Sequence, residues 1–241
     1  MPAKIFFPFE IDQFYPDTAQ NALRILQRLD YSVEYDPEQT DCGKMAFENG
    51  NWGISKNIAE KFIKTFADSS PLIIPSISNV NFIKNHYKKL FYNSGLHLAY
   101  QKIAHSAIEF CEFIYNHIGA RDIGAVLERE AVFHDCFSDK PNSVFLNLLS
   151  HVKGLKLLEV EGISTECCGA GFIFGLNNET IASAMAMRLL KIVSKLDIRT
   201  IIVGDIECKF HLDNYLKKQK SYISVVHIID VLASGWQNPV K

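Results

Sequence analysis

The stretch "STECCGAG", residues 164–171, sets two thiols, Cys167 and Cys168, side by side and follows them with Gly169 and Gly171. Successive side chains of a strand point to opposite faces, so a vicinal pair cannot share one pocket of a regular strand, and the stretch reads as a turn. Before it, "LKLLEVEG" (155–162) reads as a strand; after it, residues 178–196 read as a helix. Strand, glycine-bearing turn and long helix make one α/β unit, and the rest of the chain follows the same grammar. "KIFFPF" (4–9) reads as a buried strand, 16–30 as an amphipathic helix with Ala22, Ile25, Leu26 and Leu29 on one face, and "SVEYD" (32–36) as a strand. Helix 55–68, strand 71–76 and helix 81–91 follow, then a helical segment over 97–118. Strand "AVFHDC" (131–136) reopens the order, with helix 143–152, the 155–162 strand, helix 178–196, strand "TIIVGD" (200–205), helix 208–219 and strand "SVVHII" (224–229). Strands separated by helices of this length predict an α/β fold of two similar strand-helix repeats with largely parallel sheets.

The two halves match in detail. "TDCGKMAFENG" (40–50) answers "ECCGAGFIFG" (166–175), each placing Cys-Gly after a strand and before a helix. Phe9 and Asp41 are 32 positions apart, Cys136 and Cys167 31. "IPSISNVNF" (74–82) answers "VGDIECKFH" (203–211), pairing Asn79 with Cys208 and Phe82 with His211. The later half therefore carries Cys136, Cys167, Cys168, Cys208 and His211 where the earlier one carries Phe9, Asp41, Cys42, Asn79 and Phe82. We read residues 1–96 as a degenerate first repeat, 97–130 as a helical connector and 131–241 as a second repeat with its cysteine set intact.

On these residues the chain resembles the cysteine-rich CCG domain family, which includes a subunit of heterodisulfide reductase, the iron–sulfur subunit of glycolate oxidase and lactate-utilisation protein A. The pattern there is Cys, some thirty residues, Cys-Cys-Gly, then somewhat under forty residues to Cys-x-x-Cys or a variant, and the likeness runs over about residues 4–235. "DQFYP" (12–16) and the His134–Asp135 pair beside a cysteine are similar to the short two-repeat lactate-utilisation type. The departures are Phe9, Asp41 and Asn79, which stand where the family has thiols, and Phe137, which stands at a family cysteine position with Cys136 one place before it. The resemblance implies an iron–sulfur cluster, one of 4Fe-4S type, and an electron-transfer subunit of a multi-subunit complex that oxidises a 2-hydroxy acid such as lactate or glycolate.

The residues by themselves say less. Cys136, Cys167, Cys168 and Cys208 all follow expected strands, so a parallel sheet would gather them at one edge. Thiolates there suit iron–sulfur, zinc or copper(I), and a zinc site would use the same four sulfurs or three plus His211. A site holding zinc or nothing would suit a non-redox scaffold, and Cys167 and Cys168 acting without metal as a thiol redox pair are the remaining alternative. His211, three places after Cys208 on a helical turn, is a candidate ligand or donor to a cluster sulfur, and His134 a candidate for tuning the neighbouring thiolate. Cys42 reads as a buried remnant, Cys111 as core, and His86, His97, His105 and His117 as surface or core.

Composition excludes several classes. With 25 Lys and Arg against 27 Asp and Glu, a net charge of −2 and no basic cluster beyond Lys217, Lys218 and Lys220, the chain has no grip for nucleic acid. The N-terminal apolar run stops at Pro8 and Glu10, too short for a membrane span or signal, and six cysteines without a secretory signal point to a reducing, cytoplasmic setting. "GLNNETIASAMAM" (175–187) lacks a Gly-x-Gly-x-x-Gly or Walker lysine, and no Gly-x-Ser-x-Gly occurs. Without a flavin or nicotinamide signature, a single cluster needs partner subunits that carry further cofactors.

Overall fold

The computed structural model describes residues 3–68, 70–137, 143–160, 162–163 and 166–236. Among the described residues, eight strands form two four-stranded sheets. In the first, β1 (Lys4–Ile5), β2 (Glu34–Tyr35), β3 (Leu72–Ile74) and β4 (Ala107–Glu109) lie in the order β2-β1-β3-β4. In the second, β5 (Val126–His134), β6 (Lys153–Leu157), β7 (Thr200–Val203) and β8 (Ser224–His227) lie in the order β6-β5-β7-β8. Every pairing is parallel. The fold is α/β with two similar repeats, and each sheet reverses its strand order beside its first strand, the place where open parallel sheets bind ligands.

Burial follows position in the sheet. The inner strands β3 and β7 are buried along their whole length, whereas the edge strand β2 is exposed. One core runs between the two sheets, joining Ile5, Ile73 and Phe110 of the first half to Phe133, Ile202 and Ile228 of the second. Separate clusters lie under the outer helices of each half, Trp52–Phe66 and Ile77–Phe91 in one, Glu179–Val193 and Ile206–Lys218 in the other. Each large side chain so buried contributes about 1.5–3 kcal/mol. Polar clasps reinforce the joint: Asp230 accepts hydrogen bonds from Thr18 Oγ1 and Asn21 Nδ2 at 3.0 Å, and Tyr15 donates to Asp213 at 3.0 Å.

Two expected elements differ. "KIFFPF" pairs only over Lys4–Ile5, because Pro8 offers no N–H to a ladder and instead stands just before the short helix Phe9–Phe14. Segment 97–130 is not uniformly helical: helix His97–Ser106 gives way to β4, and β5 already begins at Val126. Three residues on a buried sheet edge carry no period that separates them from the apolar helix around them. Glu161, inside the expected 155–162 strand, lies outside the described residues, and β6 spans Lys153–Leu157. No helix among the described residues is long and apolar enough to cross a membrane.

Candidate metal centre

The Cys-Gly turns explain how the site is shaped. Gly169 has φ +86°, and a Cβ there would stand 2.7 Å from the carbonyl oxygen of Ala182 on the long helix that follows. Gly43, its counterpart, has φ +91° and would meet the Ser55 carbonyl oxygen at the same 2.7 Å. Both positions need a left-handed residue with no side chain, so that the turn packs directly on the helix and the preceding cysteine points inward. In both halves that cysteine, Cys42 or Cys168, is fully buried.

In the second repeat the ends of three neighbouring strands then deliver their thiols to one place. Cys136 follows β5, Cys168 follows the β6 turn, and Cys208 sits in the first turn of helix Ile206–Lys218 after β7. Cys136 Sγ lies 3.2 Å from Cys208 Sγ and 3.9 Å from Cys168 Sγ. A ring nitrogen of His134, the last residue of β5, joins them, and the four ligand atoms all lie within 4.8 Å of one another. His134 Nδ1 lies 2.6 Å from the Ile163 carbonyl oxygen, to which it can only donate. Nε2 is left as the nitrogen available to a metal, buried without a hydrogen-bond partner. An orphaned imidazole nitrogen facing three thiols is a donor set that fits a soft metal centre.

Electrostatics set the thiols apart. Hydrogen bonding with Cys167 and Cys208 lowers Cys136 to about 7, and hydrogen bonding with Cys136 and Cys208 holds Cys168 well below the usual thiol range. Burial pushes Cys208 up. Burial opposes a charge on His134, but the thiolates of Cys136 and Cys168 outweigh it and raise its affinity for a proton.

Of the residues singled out in the sequence, Cys136, Cys168 and Cys208 converge. Cys167 is exposed at the mouth of the pocket, where its thiol interacts with Cys136. His211 stands apart from the four-ligand group: its Nε2 lies 3.2 Å from the Ala182 carbonyl oxygen. His134, read from the sequence only as a tuning group, takes the inner position. The signal was its place as the last residue of a buried strand, two residues before a thiol.

The first repeat keeps one of these thiols, Cys42. Cys42 donates to Asn79 Oδ1 at 3.1 Å and Tyr87 to the Cys42 carbonyl at 2.8 Å, so the Cys42–Asn79 contact stands where Cys168 and Cys208 stand in the second repeat. Among the described residues no metal-ligating group forms there. Cys111 is buried in the shared core.

With the repeat and the thiol pocket in view, the comparison with known sequences is direct: residues 9–80 and 131–213 match the cysteine-rich domain family CCG, and the chain belongs to it. Curated relatives align end to end. Lactate utilization protein A 1 of Bacillus anthracis (strain CDC 684 / NRRL 3495) is 28% identical over 242 residues, 98% of this chain and 99% of its own. Lactate utilization protein A of Bacillus subtilis (strain 168) is 28% identical over 239 residues, 97% of this chain and 100% of its own. Among solved structures, glutamate racemase isoform RacE1 from Bacillus anthracis overlays 96% of this chain and 79% of its own, with 14% identity and a TM-score of 0.40.

Proposed function

We propose that this chain is an iron–sulfur electron-transfer subunit of a multi-subunit system that oxidises a 2-hydroxy acid, lactate being the substrate its relatives' names favour. The observation that carries the reading is the convergence of three thiols from three strand ends around an unpartnered imidazole nitrogen. Cys136, Cys168 and Cys208 supply thiolates and His134 Nε2 the fourth donor, with Cys167 at the mouth outside the set. The cluster, when bound, supplies one-electron chemistry at a potential set by its ligands and burial. The protein's part is to hold the donors, fix the His134 tautomer through Ile163, and shield the centre behind the buried Cys168 and Cys208. Substrate oxidation itself requires two electrons, so partner subunits with further cofactors complete the system, in the cytoplasm.

The test is protein purified without oxygen. Broad visible absorption with iron and acid-labile sulfide, both lost in Cys168→Ser, supports the reading. Metal-free protein after anaerobic purification and reconstitution overturns it.

One observation favours a second reading, a single tetrahedral ion such as zinc in a non-redox scaffold. The 3.9 Å between Cys136 and Cys168 Sγ matches the roughly 3.8 Å edge of a tetrahedron with metal–sulfur bonds of about 2.3 Å. Colourless protein with one zinc per chain would select it.

A further inference from the structure

Each repeat carries a cleft at the same place, and the two have diverged. Helices Ile77–Phe91 and Ile206–Lys218 begin at matching positions behind the capping residues Ser76 and Asp205. Helices Trp52–Phe66 and Glu179–Val193 likewise begin behind Asn51 and Asn178. In the second half a cleft lies between helices Glu179–Val193 and Ile206–Lys218, and in the first its counterpart is lined by helix Ile77–Phe91, the short helix Lys44–Glu48 and Trp52. The residue after Phe9 or Cys136 in the opposite half closes it: Glu10 over the second-repeat cleft, Phe137 over the first. Asn85 and Asn214 occupy one wall position, and His86 and Tyr215 the next, in the matching runs "NHYKK" (85–89) and "NYLKK" (214–218).

The first-repeat cleft has exchanged charge for aromatic surface. Where the second repeat pairs Glu179 with Lys218 at 2.5 Å, the first places Trp52, and Lys89 lies over the Phe47 ring instead. Phe82 stands for His211, and Phe137 for Glu10. The cleft is about 550 Å³ against about 310 Å³, within the range of small-molecule sites. Trp52 stacks on Phe47 at an interplanar angle of 7° and is 58% exposed. Lys44, Asn81 and Asn85 bring donors to the cleft, and the one carboxylate on its wall, Glu48, is paired with Lys44. Lys44 Nζ has three N–H bonds and binds two carboxylates, Glu48 at 2.7 Å and Glu207, which leaves one. Asn81 spends one amide hydrogen on the Phe137 carbonyl and keeps the other, and the Asn85 amide adds two further donors, while the Ser78 hydroxyl is committed to Asp205.

We infer that the cysteine-poor first repeat is a ligand site in its own right, binding a flat conjugated ring with carbonyl acceptors on its edge in the cleft between Trp52, Phe82 and Phe137. The ring packs against the aromatic wall that Trp52 ends and its carbonyls accept from Lys44, Asn81 and Asn85. Because Phe137 follows Cys136, a ring held there abuts the thiol pocket, although binding does not depend on metal.

Riboflavin and menadione, two sources of that ring chemistry, serve as probes with the full chain by titration calorimetry. Saturable binding of either, with a Kd below about 1 mM, is expected. It should weaken about tenfold or more in Trp52→Ala, which removes the end of the aromatic wall, and in Asn85→Trp, which fills the cleft from an exposed helix position. Circular dichroism confirms that each variant is folded. Metal-free Cys168→Ser should bind as the parent does, so failure of the metal-centre reading leaves this result standing. No saturable binding of either probe, binding indifferent to both cleft variants, or binding lost in Cys168→Ser overturns the inference.

Discussion

His134 groups with Cys136, Cys168 and Cys208, and Cys167 stands exposed beside Cys136, whereas the spacing implies Cys167 as a ligand and His134 as a tuning group. The vicinal pair suggests two ligands, yet the turn that buries Cys168 leaves Cys167 in solvent, while the strand end places His134 inside. Cobalt(II) loaded into metal-free protein reads the difference, because thiolate charge-transfer and ligand-field bands report how many sulfurs bind. Cys167→Ser should keep a three-sulfur, one-nitrogen spectrum and near-parental affinity. His134→Gln should lose affinity by about ten- to a hundredfold; the reverse pattern would assign the fourth position to Cys167. Glu10 offers a second test at this scale. Burial raises its carboxyl from 4.5 to about 7, with Asp41 and Asp205 adding to the rise and Lys44 opposing it. A raised folded-state value means that the contribution to stability is full below about pH 4.5 and is lost as pH climbs through 7. Glu10→Gln should therefore match the parent near pH 4 and be more stable at pH 8, by up to about 3 kcal/mol in urea unfolding.

Among elements, the paired helices after β3 and β7 matter most, because one carboxylate ties their N-termini together. Asp205 caps its own helix through Glu207 N at 2.9 Å and accepts from Ser76 Oγ at 3.0 Å, Ser78 N at 2.9 Å and Ser78 Oγ at 3.1 Å. Asp205→Ala leaves these buried donors unpaired and should cost about 3–4 kcal/mol, against about 1 kcal/mol for Ser78→Ala, measured by urea unfolding. Equal, small losses would show that the junction is not held through Asp205. The site's own elements were legible for a related reason: strand ends, turn glycines and helix starts follow short-range rules that the spacing of Cys136, Cys168 and Cys208 displays. β4 was not legible, since its three residues form a strand only because β3 lies beside them.

Across the whole molecule, the two repeats share one core, in which Ile5, Phe110, Phe133 and Ile228 belong to the same packed cluster. Neither half can bury its inner face alone. Unfolding should therefore be a single transition, with far-ultraviolet circular dichroism and tryptophan fluorescence coincident in urea; two separated transitions would mean that the repeats are independent. Lys44 adds an electrostatic tie. Burial alone would favour the neutral amine, but Glu207 and Glu48 outweigh it, so a charge from the stripped half sits against the residue beside Cys208.

The amino-acid sequence alone determined the alternation of strands and helices, the duplication, and the strand-end cysteines Cys136, Cys167, Cys168 and Cys208 as the place to look for a metal, because periodicity and turn chemistry are local and a repeated pattern checks itself. Only the tertiary structure decided that His134, and not His211, comes within ligand distance of Cys136, Cys168 and Cys208, that Cys167 is exposed beside Cys136, and that an aromatic cleft opens in the cysteine-poor half. Those outcomes depend on which way a side chain leaves a strand end and on what the opposite repeat presses against it, and no spacing along the chain encodes either.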